Sequence, residues 1–102
     1  IFSLTTLQGD YYMPDNIRIN SCFPNPFNPS VTINYEIAFP SDITLKIYAV
    51  NGAQVFENSF DQQAMGQHEF RWQPENHISS GIYIFSIASN HSIVNRKLVY
   101  IK

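Results

Sequence analysis

Three prolines within six residues constrain the fold more than any other feature of this sequence. The segment reads Phe23-Pro24-Asn25-Pro26-Phe27-Asn28-Pro29-Ser30. Each proline holds φ near about −65°, lacks an amide donor and pushes the residue before it toward extended conformations. Because neither a helix nor a central strand can run through it, we predict a stiff extended arm or a series of turns. Such an arm could press one or both of the Phe23 and Phe27 rings into a core.

Alternation of apolar and polar residues after the arm predicts short antiparallel strands. In residues 31–37 the apolar residues face one way and the polar residues the other, as in a sheet with one wet face. Residues 81–88 are almost continuously apolar, which predicts a central strand covered on both faces. No stretch of ten residues has a helical period. The predicted strands are a short edge strand at 17–20 and then 31–37, 43–48, 53–60, 67–72, 81–88 and 92–101.

Two local signals refine this arrangement. Asn51-Gly52 predicts a type I′ turn, in which both central residues need a positive φ, and hence a hairpin over residues 43–60. Gly81 and Tyr83 stand at the entrance to the penultimate strand, where immunoglobulin-like domains place a tyrosine corner. We therefore predict that the Tyr83 hydroxyl reaches a backbone group across the preceding connection.

Seven short strands over about 100 residues indicate an all-β fold, an antiparallel immunoglobulin-like β-sandwich. A small barrel is the competing architecture. Residues 17–102 are predicted to form this domain. Residues 1–16, which contain Gly9 and Pro14, are predicted to be a linker or lead-in.

Composition excludes several functions. A net charge of −2 with 14% charged residues offers no basic surface for nucleic acid or for a membrane. No run of about 18 apolar residues is present, so we predict no direct membrane insertion. Cys22 is the single cysteine, so neither an intrachain disulfide nor a cysteine metal pair can form. It is interpreted as a small buried apolar residue, with a reactive thiol as the alternative.

Catalytic and metal-binding patterns are missing from the sequence. His68, His77 and His91 fall in different predicted segments, and the carboxylates have no suggestive spacing. We therefore predict no catalytic residue, cofactor or metal, and no enzyme. Tyr11, Tyr12 and Trp72 could form a platform on which a sugar stacks, although aromatic residues on alternating strands are more often core.

Five collinear segments carry a recognisable pattern: residues 23–30 with Ile33, residues 47–55, Gly66-Gln67-His68 with Trp72, residues 80–83 and residues 96–102. In the same order they resemble the motifs "YPNPFNPST", "IYDxxGREV", "GxHxxxW", "SGVY" and "RKMVLLK" of the C-terminal sorting domains of the bacterial type IX secretion system. A related immunoglobulin-like domain of flagellar hook-assembly proteins shares part of the pattern.

The resemblance implies a domain without enzymatic activity that serves as a sorting signal for its parent protein. Such a domain follows a cargo domain of the same parent chain, which reaches the periplasm by a signal peptide. The domain is then recognised by the outer-membrane translocon, and in several systems a sortase-like peptidase removes it. The cargo ends at the cell surface or is secreted.

Carried over by resemblance, the residues expected to contact the translocon are Gly81, Tyr83, Arg96, Lys97, Val99 and Lys102. A structural role is at least as good an explanation for Gly81, Tyr83 and Val99, whereas packing explains Lys97 and Lys102 poorly. The expected structural residues are Phe23, Pro24, Pro26, Phe27, Pro29, Asn51, Gly52 and Trp72, with both phenylalanines packed and the prolines keeping an edge from pairing with other chains. An accessory module that binds carbohydrate or a neighbouring domain is the second hypothesis, and a purely structural spacer is the third.

Overall fold

The two sheets of the protein face each other and enclose one apolar core. The computed structural model describes residues 16–102. The strands are β1 Ile17–Phe23, β2 Val31–Ile37, β3 Ser41–Ala49, β4 Gln54–Gln63, β5 Gly66–Trp72, β6 Gly81–Ala88 and β7 Ile93–Tyr100. A three-stranded sheet has the order β1-β2-β5 and a four-stranded sheet the order β4-β3-β6-β7, with all strands paired antiparallel. Two separate sheets confirm the predicted sandwich over the barrel.

The core follows from the alternation in the sequence. Val31, Ile33, Tyr35 and Ile37 of β2 are each at most 1% exposed, and the residues between them are half-buried. On β3, Ile43, Leu45 and Ile47 are likewise at most 1% exposed. Because burying one such side chain contributes about 1.5–3 kcal/mol, the inner faces of these two strands supply much of the driving force for folding.

The β3–β4 hairpin forms as predicted, but the predicted turn type is wrong. Gly52 has φ 91°, whereas the only non-glycine residue with a positive φ among residues 16–102 is Gln62, so Asn51 does not take the type I′ conformation. The Gly52 amide donates to the Ala49 carbonyl at 2.9 Å, and the Ala49 amide donates to the Ala53 carbonyl at 2.8 Å. This is a type I turn followed by a left-handed glycine, the usual three-residue hairpin loop.

A β-bulge in β1 decides which way Phe23 points. Ile19 pairs with Tyr35, but Ser21 pairs with Asn34, so Asn20 is an extra residue. One extra residue reverses the alternation of the strand. Cys22 therefore turns toward the core, whereas Phe23 turns outward and is 74% exposed. The prediction that Phe23 packs into the core is wrong for this reason.

Asn16 is a buried polar residue that joins two turns. Its side chain is 1% exposed, and its Nδ2 donates to Ser41 Oγ at 2.6 Å. Its carbonyl accepts from the Ala38 amide at 2.8 Å, and its own amide donates to Ser92 Oγ at 2.8 Å. Asn16 thus links the β2–β3 turn to the β6–β7 turn. The rest of the predicted lead-in, including Tyr11 and Tyr12, lies outside the described residues.

Replacing Asn16 with alanine should destabilise the fold by about 1–3 kcal/mol, because Ser41 Oγ, Ser89 Oγ and the Phe39 amide lose their side-chain partner. The backbone bonds to Ala38 and Ser92 should remain. The matched control is Asn20→Ala at the exposed bulge, which should change stability by at most about 0.5 kcal/mol. Urea unfolding of the two variants measures the difference. Equal stabilities would contradict the linking role of Asn16.

Candidate functional site: the last strand and the proline arm

β7 is an edge strand whose two faces differ in character. It pairs with β6 from Gly81↔Tyr100 to Ala88↔Ile93. Leu98 and Tyr100 point into the core and are at most 6% exposed. Lys97 and Val99 point outward, as the alternation predicts, and Lys97 is exposed. The strand is therefore anchored by one face and leaves the other open.

The proline arm (residues 23–30) docks on the free edge of β7. Asn25 Nδ2 donates to the Lys97 carbonyl at 3.0 Å, and Asn25 Oδ1 accepts from the Val99 amide at 2.9 Å. The Phe27 amide donates to the Val99 carbonyl at 2.8 Å, and the Phe27 carbonyl accepts from the Ile101 amide at 3.1 Å. The arm thus takes the place of a partner strand along this part of the edge. The side-chain amide of Asn25 makes the hydrogen bonds that a backbone amide and carbonyl of such a strand would make.

Phe27 anchors the arm in a cluster of four aromatic side chains. Its ring is 1% exposed and lies 5.0 Å from the Tyr100 ring and 5.7 Å from the Trp72 ring, measured between centroids. Trp72 in turn meets Tyr83 edge to face at 5.7 Å. These distances are in the range at which aromatic pairs attract beyond their buried area. Phe27 and Trp72 therefore lie in the core, as the sequence predicts.

Gly81 and Tyr83 form the tyrosine corner expected from the sequence. The Tyr83 hydroxyl donates to the Ser79 carbonyl at 2.6 Å, and the ring is 5% exposed. Gly81 has φ 155°, which side-chain-bearing residues rarely adopt, and a Cβ there would meet nothing within 4 Å. Glycine is thus required at this position by the backbone conformation rather than by lack of space.

Arg96 ties β7 to the opposite sheet. Its Nη2 donates to the Ile19 carbonyl of β1 at 3.1 Å. The guanidinium also lies near the half-buried thiol of Cys22. Burial raises the pKa of Cys22, and the positive charge of Arg96 lowers it by a smaller amount. Because the pKa of the thiol rises overall, the thiol stays protonated, and in this neutral form Cys22 behaves as a small apolar residue.

Lys97 and Lys102 differ in their surroundings. Lys97 lies across from Ile84 on the outer face of the four-stranded sheet, with its side chain in solvent. The Lys102 amide donates to Ser80 Oγ at 2.8 Å, and its Nζ donates to the Asn76 carbonyl. Lys102 is thus bound to the β5–β6 connection, whereas the Lys97 ammonium has no hydrogen-bond or ion-pair partner within residues 16–102.

The outer face of β6 differs from the sequence-based prediction. Both faces of residues 81–88 were expected to be covered, and β6 is a central strand between β3 and β7. Its inner residues are buried, but Ile82 on the outer face is 42% exposed. The prediction of two covered faces is wrong at Ile82, whereas farther along the same face Ile84 is half-buried and Ser86 is buried. The nearly continuous apolar residues of 81–88 were the signal in the sequence: apolar side chains on both faces of a strand indicate either a second covered face or an open apolar surface.

Other parts of the described chain offer little chemistry. Within residues 16–102 no group of three or more His, Cys, Asp or Glu side chains could hold a metal ion. Nor does this part of the chain contain a helix long and apolar enough to cross a membrane. A cleft of about 260 Å³ lies beside β4 and β5, and Trp72 in its wall is only 5% exposed, too little to stack on a sugar. The cleft is lined by Val55, Phe56, Arg71, Trp72, Gln73, Glu75 and Ile78.

Asn25→Ala should free the edge of β7 locally. The Val99 amide loses its acceptor, so its hydrogen exchange should accelerate, and the net loss of two hydrogen bonds should cost about 1–3 kcal/mol at most. Asn28→Ala in the same arm is the control. Hydrogen exchange followed by NMR reads out the Val99 amide, and unchanged protection in Asn25→Ala would contradict the docking role of this side chain.

The pKa of the Cys22 thiol should lie above the ordinary thiol value of 9.0 in the native protein and return toward it in urea. Because the folded-state pKa is raised, the thiol contributes stability that is full below about pH 9 and is lost as pH rises through the folded pKa. Thiolate absorbance in native and unfolded protein measures both values, with Cys22→Ser as the blank. A native midpoint below 9.0 would show that Arg96 outweighs burial.

Comparison with known proteins adds one finding. Residues 21–102 match the protein-family model described as the secretion system C-terminal sorting domain. A search of curated proteins finds no match. The matched range begins in β1 and contains the whole proline arm and β7.

Proposed function

Because the chain belongs to the family of type IX secretion C-terminal sorting domains, we propose that it directs a cargo protein of the same parent chain through the outer-membrane translocon. Membership of this family implies export to the cell surface or the extracellular space. Passage through the periplasm and removal by a sortase-like peptidase are further parts of the proposal. Recognition by the translocon requires a binding surface and no chemical reaction by the domain, so the domain acts as a non-catalytic sorting signal.

The observation that carries the proposal is the way the arm holds β7. A recognition element must keep its shape while bound, since ordering it on contact costs affinity. The arm and the aromatic cluster immobilise β7 from its edge and from beneath, and Lys97 and Val99 are left on its outer face. Gly81, Tyr83 and Arg96, which the resemblance also suggested as contacts, support the scaffold through the corner and the link to β1.

A reporter fusion tests the proposal. Residues 1–102 are fused behind a periplasm-directed reporter and expressed in a host that has the secretion system and in the same host without the translocon. We expect extracellular or surface reporter only in the first host. Leu98→Asp places a charge in the core and serves as the unfolded control. Loss of export by this variant would show that export needs a folded domain. Equal export by both hosts, or by neither, would contradict the proposal.

The cleft beside β4 and β5 favours a second candidate, an accessory module that binds carbohydrate or a neighbouring domain. Arg71 and Glu75 supply polar groups over an apolar floor that includes Phe56 and Ile78. Its volume of about 260 Å³ lies just below the range usual for small-molecule pockets. Affinity electrophoresis against a glycan panel tests it with Glu75→Ala and Arg71→Ala, because Trp72→Ala would disturb the core. A purely structural spacer would show neither export nor binding.

A further inference from the structure

The geometry points to the outer face of β6 and β7 as a protein docking surface, whose occupant is an apolar surface with carboxylates at its rim. We call this surface the outer patch and define it as Ile82, Ile84, Lys97, Val99 and Ile101. The inference rests on the proposed function and says which surface the export machinery contacts and what chemistry that machinery must present.

The outer patch is apolar and continuous across the two strands. Ile82 pairs with Val99, and Ile84 pairs with Lys97, so these four side chains lie side by side on one face. Ile101 continues the alternation of β7 beyond Val99. Ile82 is 42% exposed and Ile101 is 54% exposed. Ile84 and Val99 are half-buried. Adjacent aliphatic side chains that are exposed or partly exposed on one sheet face are more typical of interaction sites than apolar residues scattered singly.

The charged side chains of β6 and β7 are all positive. No Asp or Glu occurs in the sequence after Glu75, so β6 and β7 carry no acidic side chain, although the whole chain has a net charge of −2. Lys97 provides the positive charge of the outer patch. A partner that buries the isoleucines must also meet the Lys97 ammonium, and carboxylates at the rim of an apolar surface satisfy both requirements.

The arm decides how the partner approaches. A strand added to the edge of β7 would need the Lys97 carbonyl, both backbone groups of Val99 and the Ile101 amide. Asn25 and Phe27 already occupy all four. The partner therefore contacts the face of the β6–β7 pair rather than extending the sheet along this part of its edge.

An anionic membrane surface has a related chemistry, but the residues favour a protein. Lipid recognition by charge takes clusters of about four to eight Lys or Arg side chains. Lys97 is the cation of the outer patch, and Arg96 beside it is turned toward β1. Lys46 lies on the adjoining part of the same sheet face, opposite Ser86 on one side and Glu57 on the other. Two cations, one of them across from a carboxylate, are fewer than lipid recognition by charge takes, so the surface suits a specific protein contact better.

Export of the reporter fusion tests the outer patch with five single variants. Lys97→Glu and Ile82→Ser alter the patch, whereas Arg18→Glu in β1 and Val50→Ser in the β3–β4 turn make matched changes at other exposed positions. We expect Lys97→Glu to lower export about tenfold, since like charges facing each other at an interface cost at least that much. Lys97→Gln should lose less, Ile82→Ser should also lose export, and both controls should export normally. Thermal unfolding of each purified variant establishes that it is folded.

The outcomes separate the two proposals. Wild-type export combined with full export of folded Lys97→Glu and Ile82→Ser would overturn the outer patch and leave the proposed function standing. Lack of translocon-dependent export by the wild-type fusion would overturn both. Increased export by Asn25→Ala would show that the export machinery contacts the edge of β7 instead of its outer face. Lys97-dependent cosedimentation of the purified chain with phosphatidylglycerol vesicles would replace the protein partner with a lipid surface.

Discussion

The contact between Phe27 and the end of β7 is the interaction on which most of the structure depends. The arm leaves the three-stranded sheet after β1 and returns to it at β2, yet between these strands it pairs with the four-stranded sheet. Phe27 lies between Trp72 of one sheet and Tyr100 of the other. Burial of one such ring contributes about 1.5–3 kcal/mol, a large part of the roughly 5–15 kcal/mol by which a domain of this kind is stable.

Three separate links close the sandwich on the side where β1 approaches β7. At one end Asn16 bonds both to the turn before β3 and to the turn before β7, and Arg96 crosses between the sheets. At the other end the arm covers the edge of β7. Between Lys97 and Ile101, where the arm occupies the edge and the inner face is packed, the contacts within residues 16–102 leave the outer face of the strand open. The same contacts that stabilise the strand thus limit how another protein can approach it.

The sequence predicts the elements of this fold well, because alternation and turn residues act locally. The strand at residues 31–37 is found with the predicted bounds, and the tyrosine corner follows from two residues at a fixed spacing. Non-local effects escape prediction. The bulge at Asn20 turns Phe23 outward, and the extra residue in the Asn51-Gly52 loop changes the turn type. Both depend on the register against a partner strand, which no local pattern encodes.

The sequence by itself determined the all-β class, the stiffness of the proline segment and the family resemblance, since each rests on residue type and spacing along the chain. Only the tertiary structure decided that this segment and the last strand, about 70 residues apart, form a single unit. It also separated the motif residues into supports, such as Tyr83 and Arg96, and exposed side chains, such as Lys97. The physical reason is that exposure and edge pairing depend on which distant segments meet, and chain order does not specify that.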